Sequence, residues 1–202
     1  MSLTVSGSTA TTFEPIEQGT HIAVCNMLID LGMQYSEAYK NSSHKVLIGW
    51  EIPDSTYEAD GKELPRTITK RYTASLNERA TLRQDLAAWR SRDFTDEELA
   101  AFDLRNILGA NCMINVTHRE GSNGKVYADV KSVMALPKGT PKTALVGPQI
   151  IFDLEADPLE AIEDLPEWIR DTIKKSETYQ NRLSTGKPEF EELPEDDGEL
   201  PF

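Results

Sequence analysis

The side chains best suited to catalysis in this chain are three histidines, two cysteines and a few paired carboxylates. His21, His44 and His118 stand far apart, each in or beside a β-rich stretch, without the spacing of a metal ligand set. Cys25 and Cys112 each sit inside an apolar run, with no C-x-x-C and no Cys/His cluster, so they read as reduced core thiols. The acidic pairs Asp96/Glu97 and Asp196/Asp197 fall at a helix start and in a tail. Neither setting holds two carboxylates rigidly enough for acid–base or metal-ion chemistry. A Gly-rich phosphate loop, a G-x-S-x-G elbow and an H-E-x-x-H pair are all missing. These residues predict a protein that is not an enzyme and uses no metal and no cofactor.

Binding chemistry leaves a clearer trace. Taken by twos as a strand, KVYADVKS points Lys125, Tyr127, Asp129 and Lys131 one way and Val126, Ala128, Val130 and Ser132 the other. One face is cationic and aromatic while the other packs inward. The stretch RTITKRYTAS offers Arg66, Lys70 and Tyr72 on one face and Arg71 on the other. HKVLIGWEI offers His44, Val46, Ile48 and Trp50 on one face and Lys45 on the other. Rings interleaved with Lys and Arg on exposed strands suit single-stranded nucleic acid, because bases stack at ~1–3 kcal/mol each while cations follow the phosphates. The candidate set is Lys45, Trp50, Lys70, Arg71, Tyr72, Lys125, Tyr127 and Lys131. Trp50 shares its face with valine and isoleucine and reads equally as core. Tyr72 is open between core and platform. Tyr127, with lysines on its own face, reads as a platform.

A second binding signal closes the sequence. Residues Glu189 to Phe202 hold seven acids and no base. Acidity alone reads as a solubilising tail, but Leu200, Pro201 and Phe202 add nothing to solubility. With Asp196 and Asp197 they read as a docking tip: the acids steer toward basic partners, the Phe fills a pocket, and a terminal carboxylate meets an Arg or a nest of amides.

The formal net charge of −13 argues at face value against a nucleic-acid partner. The charge is unevenly spread, however. Residues 1–61 carry two Lys/Arg against eight Asp/Glu, residues 62–142 fourteen against ten, and residues 143–202 five against sixteen. The middle is mildly basic and the acid is concentrated late. A mobile acidic end can occupy a basic groove until DNA displaces it.

The elements that must position these residues follow from periodicity. The nearly continuous apolar run from His21 to Leu31 predicts a strand buried on both faces. A second strand covers His44 to Ile52, stopped by Pro53, and a polar loop leads to a third over Arg66 to Ser75. Ser75 and Glu78 have the spacing of a capping box, and Leu82, Leu86 and Trp89 recur at helical spacing, predicting a helix over 76–90. Thr95 and Glu98 form a second capping box, and a short turn ends at Gly109. Strands resume over Ala110 to Arg119 and Lys125 to Leu136, joined by a hairpin at Glu120 to Gly124. The division expected is a flexible segment 1–18, a nucleic-acid-binding domain 19–136, a linker 137–148, an acidic helical region 149–185 and a disordered tail 186–202. Together these predict a mainly β protein with helical additions. Its centre is a five-stranded OB-type barrel with a helical insert between strands three and four. The alternative is an α+β sandwich with helices on one face. No apolar run approaches the ~20 residues of a membrane span, and Met1 to Thr12 lacks the pattern of a signal peptide. A soluble, cytoplasmic protein is expected.

DDGELPF resembles the acidic C-terminal tip of bacterial single-stranded DNA-binding proteins, and tails of this kind also occur in phage replication binding proteins. The stretches GTHIAVCNMLIDLG, HKVLIGWEIP, KRYTASLNERATLRQDLAAWR and LRNILGANCMINVTH resemble the phage-encoded single-stranded DNA-binding family over most of residues 19–136. The resemblance implies an OB fold that protects single strands in phage replication or recombination, inside the host cytoplasm, and recruits replication or recombination proteins through Asp196, Asp197, Leu200, Pro201 and Phe202. The helical insert and the acidic helical region depart from the bacterial type, which leaves the oligomeric state open. Two other functions stay open: an adaptor of a replication machine whose barrel binds protein, and a nuclease or annealing accessory with an unrecognised site.

Overall fold

The computed structural model describes residues 14–59 and 61–185. The apolar run at the start of the chain becomes the spine of the molecule. Strand β1, Gly19–Ser36, pairs along one edge with β2, Asn41–Ala59. Along its other edge it pairs first with β4, Asn111–Glu120, and then with the short β6, Ile150–Phe152. Strand β3, Lys62–Thr73, pairs with β2, and β5, Val126–Met134, pairs with β4. All these pairings are antiparallel except that of β6. The path β3-β2-β1-β4-β5 is a curled half-barrel of five strands.

Register shifts curl it. In β1 they fall between Cys25 and Met27 and between Asp30 and Gly32. Each inserts one extra residue and bends the strand. The bulges also let the strand serve two cores. Ala23, Cys25 and Leu28 face the barrel interior with Trp50, Ile68, Ile114 and Val133. Met27, Ile29 and Leu31 face outward into a second core with Phe152, Leu154, Ile169 and Ile173. Burial on both faces, expected from the unbroken apolar run, is what the strand shows.

Helices fill the interval between β3 and β4: α1, Thr81–Arg90, and α2, Asp96–Ala100, followed by a 3-10 turn at Leu104–Ile107. Leu82, Leu86 and Trp89 of α1 bury against the barrel interior, as their spacing predicts. The Thr95–Glu98 capping box is formed, with both reciprocal hydrogen bonds. The Ser75 box is not. The Ser75 hydroxyl takes the Asn77 N–H instead, a local turn that competes with helix, and α1 begins at Thr81.

Three further boundaries differ from expectation. Pro53 does not end β2, because it falls in the irregularity between Ile52 and Thr56, where no ladder N–H is required. Beyond it β2 and β3 continue as a paired arm. Ile16, expected in a flexible segment, is buried in the barrel core. Residues 137–148 are tied down, since Asn111 exchanges hydrogen bonds with the Thr143 backbone and the Glu51 carboxylate accepts from the Val146 and Gly147 amides at 2.8 Å each. The segment after β6 is broken by Pro166 into a 3-10 turn at Leu159–Asp164, then α3, Glu167–Lys174, and α4, Glu177–Thr185. Leu165, at the end of the 3-10 turn, and Ile169 and Ile173 of α3 are buried in the second core beside β1. No described helix is long and apolar enough to cross a membrane.

Candidate nucleic-acid interface

Strand β3 ends beside the loop that leads into α1, and the start of β2 lies alongside. Lys45, Lys70, Arg71, Tyr72, Thr73 and Arg79 line an open cleft of about 440 Å³ there, with Ala80 and Thr81 at the helix start. Several local features place them. The Ala74 amide donates to His44 O and holds the β3 end against β2, while Ala80 N donates to Asn77 O and closes the turn that carries Arg79. Arg71 pairs in register with Leu47 of the outward core, so it leaves the sheet on the outer face and is exposed. The α1 N-terminus has no side-chain cap and no acid in its first turn, which leaves its positive dipole end unopposed.

The charges in the cleft are not equivalent. Lys70 Nζ donates to Asp85 at 2.7 Å, and Asp85 also takes the Tyr72 hydroxyl at 2.8 Å. Lys45 donates to the neutral Thr73 hydroxyl at 2.7 Å and keeps its charge. Arg71 and Arg79 have no carboxylate partner among the described residues. Most arginines outside the cleft are paired: Arg83 with Asp93, Arg90 and Arg92 with Glu98, Arg105 with Asp153, Arg119 with Asp129, Arg170 with Glu163. The cleft brings three cations without a carboxylate partner among the described residues, Lys45, Arg71 and Arg79, onto one surface of an acidic chain.

Two residues of the candidate set, Trp50 and Tyr72, belong to the core. Trp50 is fully buried and packs at 6.2 Å from Trp89, with its indole N–H unpartnered among the described residues. Tyr72 is 3% exposed. Neither leaves a ring face for a base, because the face that carries them also carries Val46, Ile48 and Ile68 into the barrel interior. Burial, and then the nearby Asp85 carboxylate, push the Tyr72 hydroxyl's pKa far up, so it stays a neutral donor.

Lys125, Tyr127 and Lys131 lie along β5 and its hairpin and are not among the residues that line the cleft. All three are exposed, with Tyr127 at 41%. Alternation fails between Val130 and Ser132, where a bulge opposite Asn115 and Val116 displaces Lys131. The Lys131 carbonyl nonetheless accepts from Lys70 Nζ at 3.3 Å, joining β5 to β3. Asp196, Asp197, Leu200, Pro201 and Phe202 lie outside the described residues.

The histidines are each satisfied locally: His21 bonds Glu17 O, His44 bonds Asp30 and His118 bonds Ile16 O. Cys25 and Cys112 are free thiols, both buried, and burial pushes the Cys25 thiol up to about 12. Among the described residues no cluster of His, Cys, Asp and Glu is arranged to hold a metal ion.

Arg79 and Arg119 are functional candidates missing from the sequence-derived set. Arg79 falls within the predicted helix, and only the failed Ser75 cap turns it toward the cleft. Arg119 pairs across the hairpin with Tyr127, a register concealed because the turn lies one residue later than the EGSNG stretch suggests. No family model matches this chain, and no curated protein does.

Proposed function

We propose that the chain is a sequence-tolerant single-stranded DNA-binding protein of the phage-encoded type, acting in replication or recombination in the host cytoplasm. The observation that carries this reading is the convergence of Lys45, Arg71 and Arg79, without carboxylate partners among the described residues, on one open cleft of a strongly acidic chain. Carboxylate-free cations in a groove are what a phosphate backbone meets, and they carry no base preference. The strand order, with β3 and β5 as the two free margins, fits an OB-type barrel whose seam is left partly open. The acidic segment ending in Leu200, Pro201 and Phe202 recruits partner proteins.

Titration of a fluorescent oligo-dT across a salt series tests the reading. Binding should weaken steeply with salt, because phosphate contacts release counterions. Arg71→Ala and Arg79→Ala should each lower the salt slope by about one unit. Lys70→Ala, whose charge Asp85 already meets, should lower it less. Binding that ignores salt, or absence of binding beside capture of a replication protein, would favour the adaptor function.

A further inference from the structure

The exposed tyrosines among the described residues differ in their contacts. Tyr39, 81% exposed at the β1–β2 turn, has no ring or hydrogen-bond contact among the described residues. Tyr127 is different. Its hydroxyl accepts from Asn123 Nδ2 at 2.8 Å, and Asn123 is itself fixed by accepting the Lys125 amide at 3.1 Å. The Arg119 guanidinium lies 5.7 Å from the ring centroid, anchored by donating to Asp129 at 2.7 Å. The ring edge crosses Gly121 so closely that a Cβ there would meet Tyr127 Cε2 at 2.6 Å. Immobilising a ring that remains 41% exposed costs side-chain entropy and still leaves part of the ring open to solvent. Such an arrangement makes sense as a preorganised face for a flat ligand.

Strand directions connect this ring to the cleft. Strands β3 and β5 both run parallel to β1, each through one antiparallel neighbour, and they touch where Lys70 Nζ reaches the Lys131 carbonyl. Arg71 and Lys131 are exposed at that junction. Tyr127 lies four residues back along β5, about 13 Å at ~3.3 Å per residue.

We propose that the β4–β5 hairpin is a second subsite, taking one nucleobase against Tyr127, and that a single strand reaches it from the cleft past Lys131. Arg119, Asn123 and Gly121 are its positioning residues. The proposal rests on the DNA-binding reading above and adds a length threshold to it. Short oligonucleotides that fill only the cleft do not touch Tyr127, while longer ones do.

The test titrates wild type, Tyr127→Ala, Tyr127→Leu, Gly121→Ala and Arg71→Ala with oligo-dT of ~3 to ~20 nucleotides, bracketing site sizes of single domains. Thermal melts accompany each variant. Wild type and Tyr127→Ala should bind the shortest strands equally. Above the threshold the variant should fall behind by roughly five- to 150-fold, the loss of one stacked base. That gap should not change with salt, since a ring releases no counterions. Tyr127→Leu, which keeps apolar bulk without an aromatic face, and Gly121→Ala, which displaces the ring, should reproduce it. Arg71→Ala should weaken every length. The second subsite is overturned if the Tyr127→Ala loss is equal at all lengths or absent at all, or if Tyr127→Leu matches wild type. In those cases sensitivity to Arg71→Ala leaves the DNA-binding reading standing, whereas wild type that binds no length removes both.

Discussion

Asp85 accepts from Lys70 Nζ and from the Tyr72 hydroxyl at once, and that sharing sets what both neighbours can do. The lysine spends much of its charge inside the protein, with its ammonium also 5.0 Å from the Tyr72 ring centroid. The tyrosine becomes a structural donor to a carboxylate that is only 13% exposed. Tyr72→Phe should therefore lower stability by about 1.5 kcal/mol, the scale of one hydrogen bond to a charged group, while DNA affinity stays within about twofold. Urea denaturation with oligo-dT titration on the same preparation measures both. A large loss of affinity with unchanged stability would place the Tyr72 ring on the ligand. Period two correctly put Tyr72 on the face of Ile68, yet it could not tell whether that face met solvent or α1. Tyr127 likewise follows a lysine by two residues, and it ends exposed at the hairpin. What separates them is a tertiary fact, the position of α1, which no window around either residue contains.

At the scale of elements, the second core depends on a strap. Residues 143–147 cross the outer side of the sheet, and Glu51, 1% exposed, holds the Val146 and Gly147 amides with its two oxygens. The chain then enters β6 and the helices that bury Ile169 and Ile173 against β1. Glu51→Ala should cost roughly 2–3 kcal/mol, since it leaves two amides without their charged acceptor. Hydrogen exchange should show the Val146 and Gly147 amides losing protection while Ile114 and Val133 of the barrel keep theirs. Uniform loss across the molecule would make Glu51 a residue of global folding instead of a fastening. The two-sided burial of β1 was legible in its unbroken apolar run, and so were α1's inner face, the Thr95 cap and the β4–β5 hairpin, because each is coded within one turn or one strand. The strap was not legible: a Pro/Gly/Lys stretch reads as linker, and its partner lies 95 residues away. Pro53 misled for a related reason, since whether a proline ends a strand depends on whether the ladder needs its N–H at that register. The cleft was half legible, with the strand cations Lys45, Lys70 and Arg71 found and Arg79 hidden in a misplaced helix start.

Across the whole molecule, charge is sorted by position. Lys45, Arg71 and Arg79, without carboxylate partners among the described residues, lie at the β2–β3 end of the barrel. The acids of the C-terminal part lie on the elements that cover β1, where Glu163 already serves Arg170 and Lys174, and on the segment from Glu189 to Glu199. Acids of that segment are unmatched by any base within it, so their field acts on whatever cations come within a Debye length, about 10 Å at 0.1 M salt. If they compete with phosphates for the cleft, removing their charge should strengthen DNA binding without any new contact. Converting the seven carboxylates of residues 189–202 to amides should tighten oligo-dT binding most at low salt, and the gain should fade as added ions screen the wild-type segment. Phe202→Ala, which keeps every charge, should leave DNA affinity unaltered and so controls for the substitutions themselves. Parallel titrations of the three proteins from low to high salt check this. Curves that coincide at low salt would show that the acids never reach the cleft, and that Arg71 and Arg79 meet DNA unopposed.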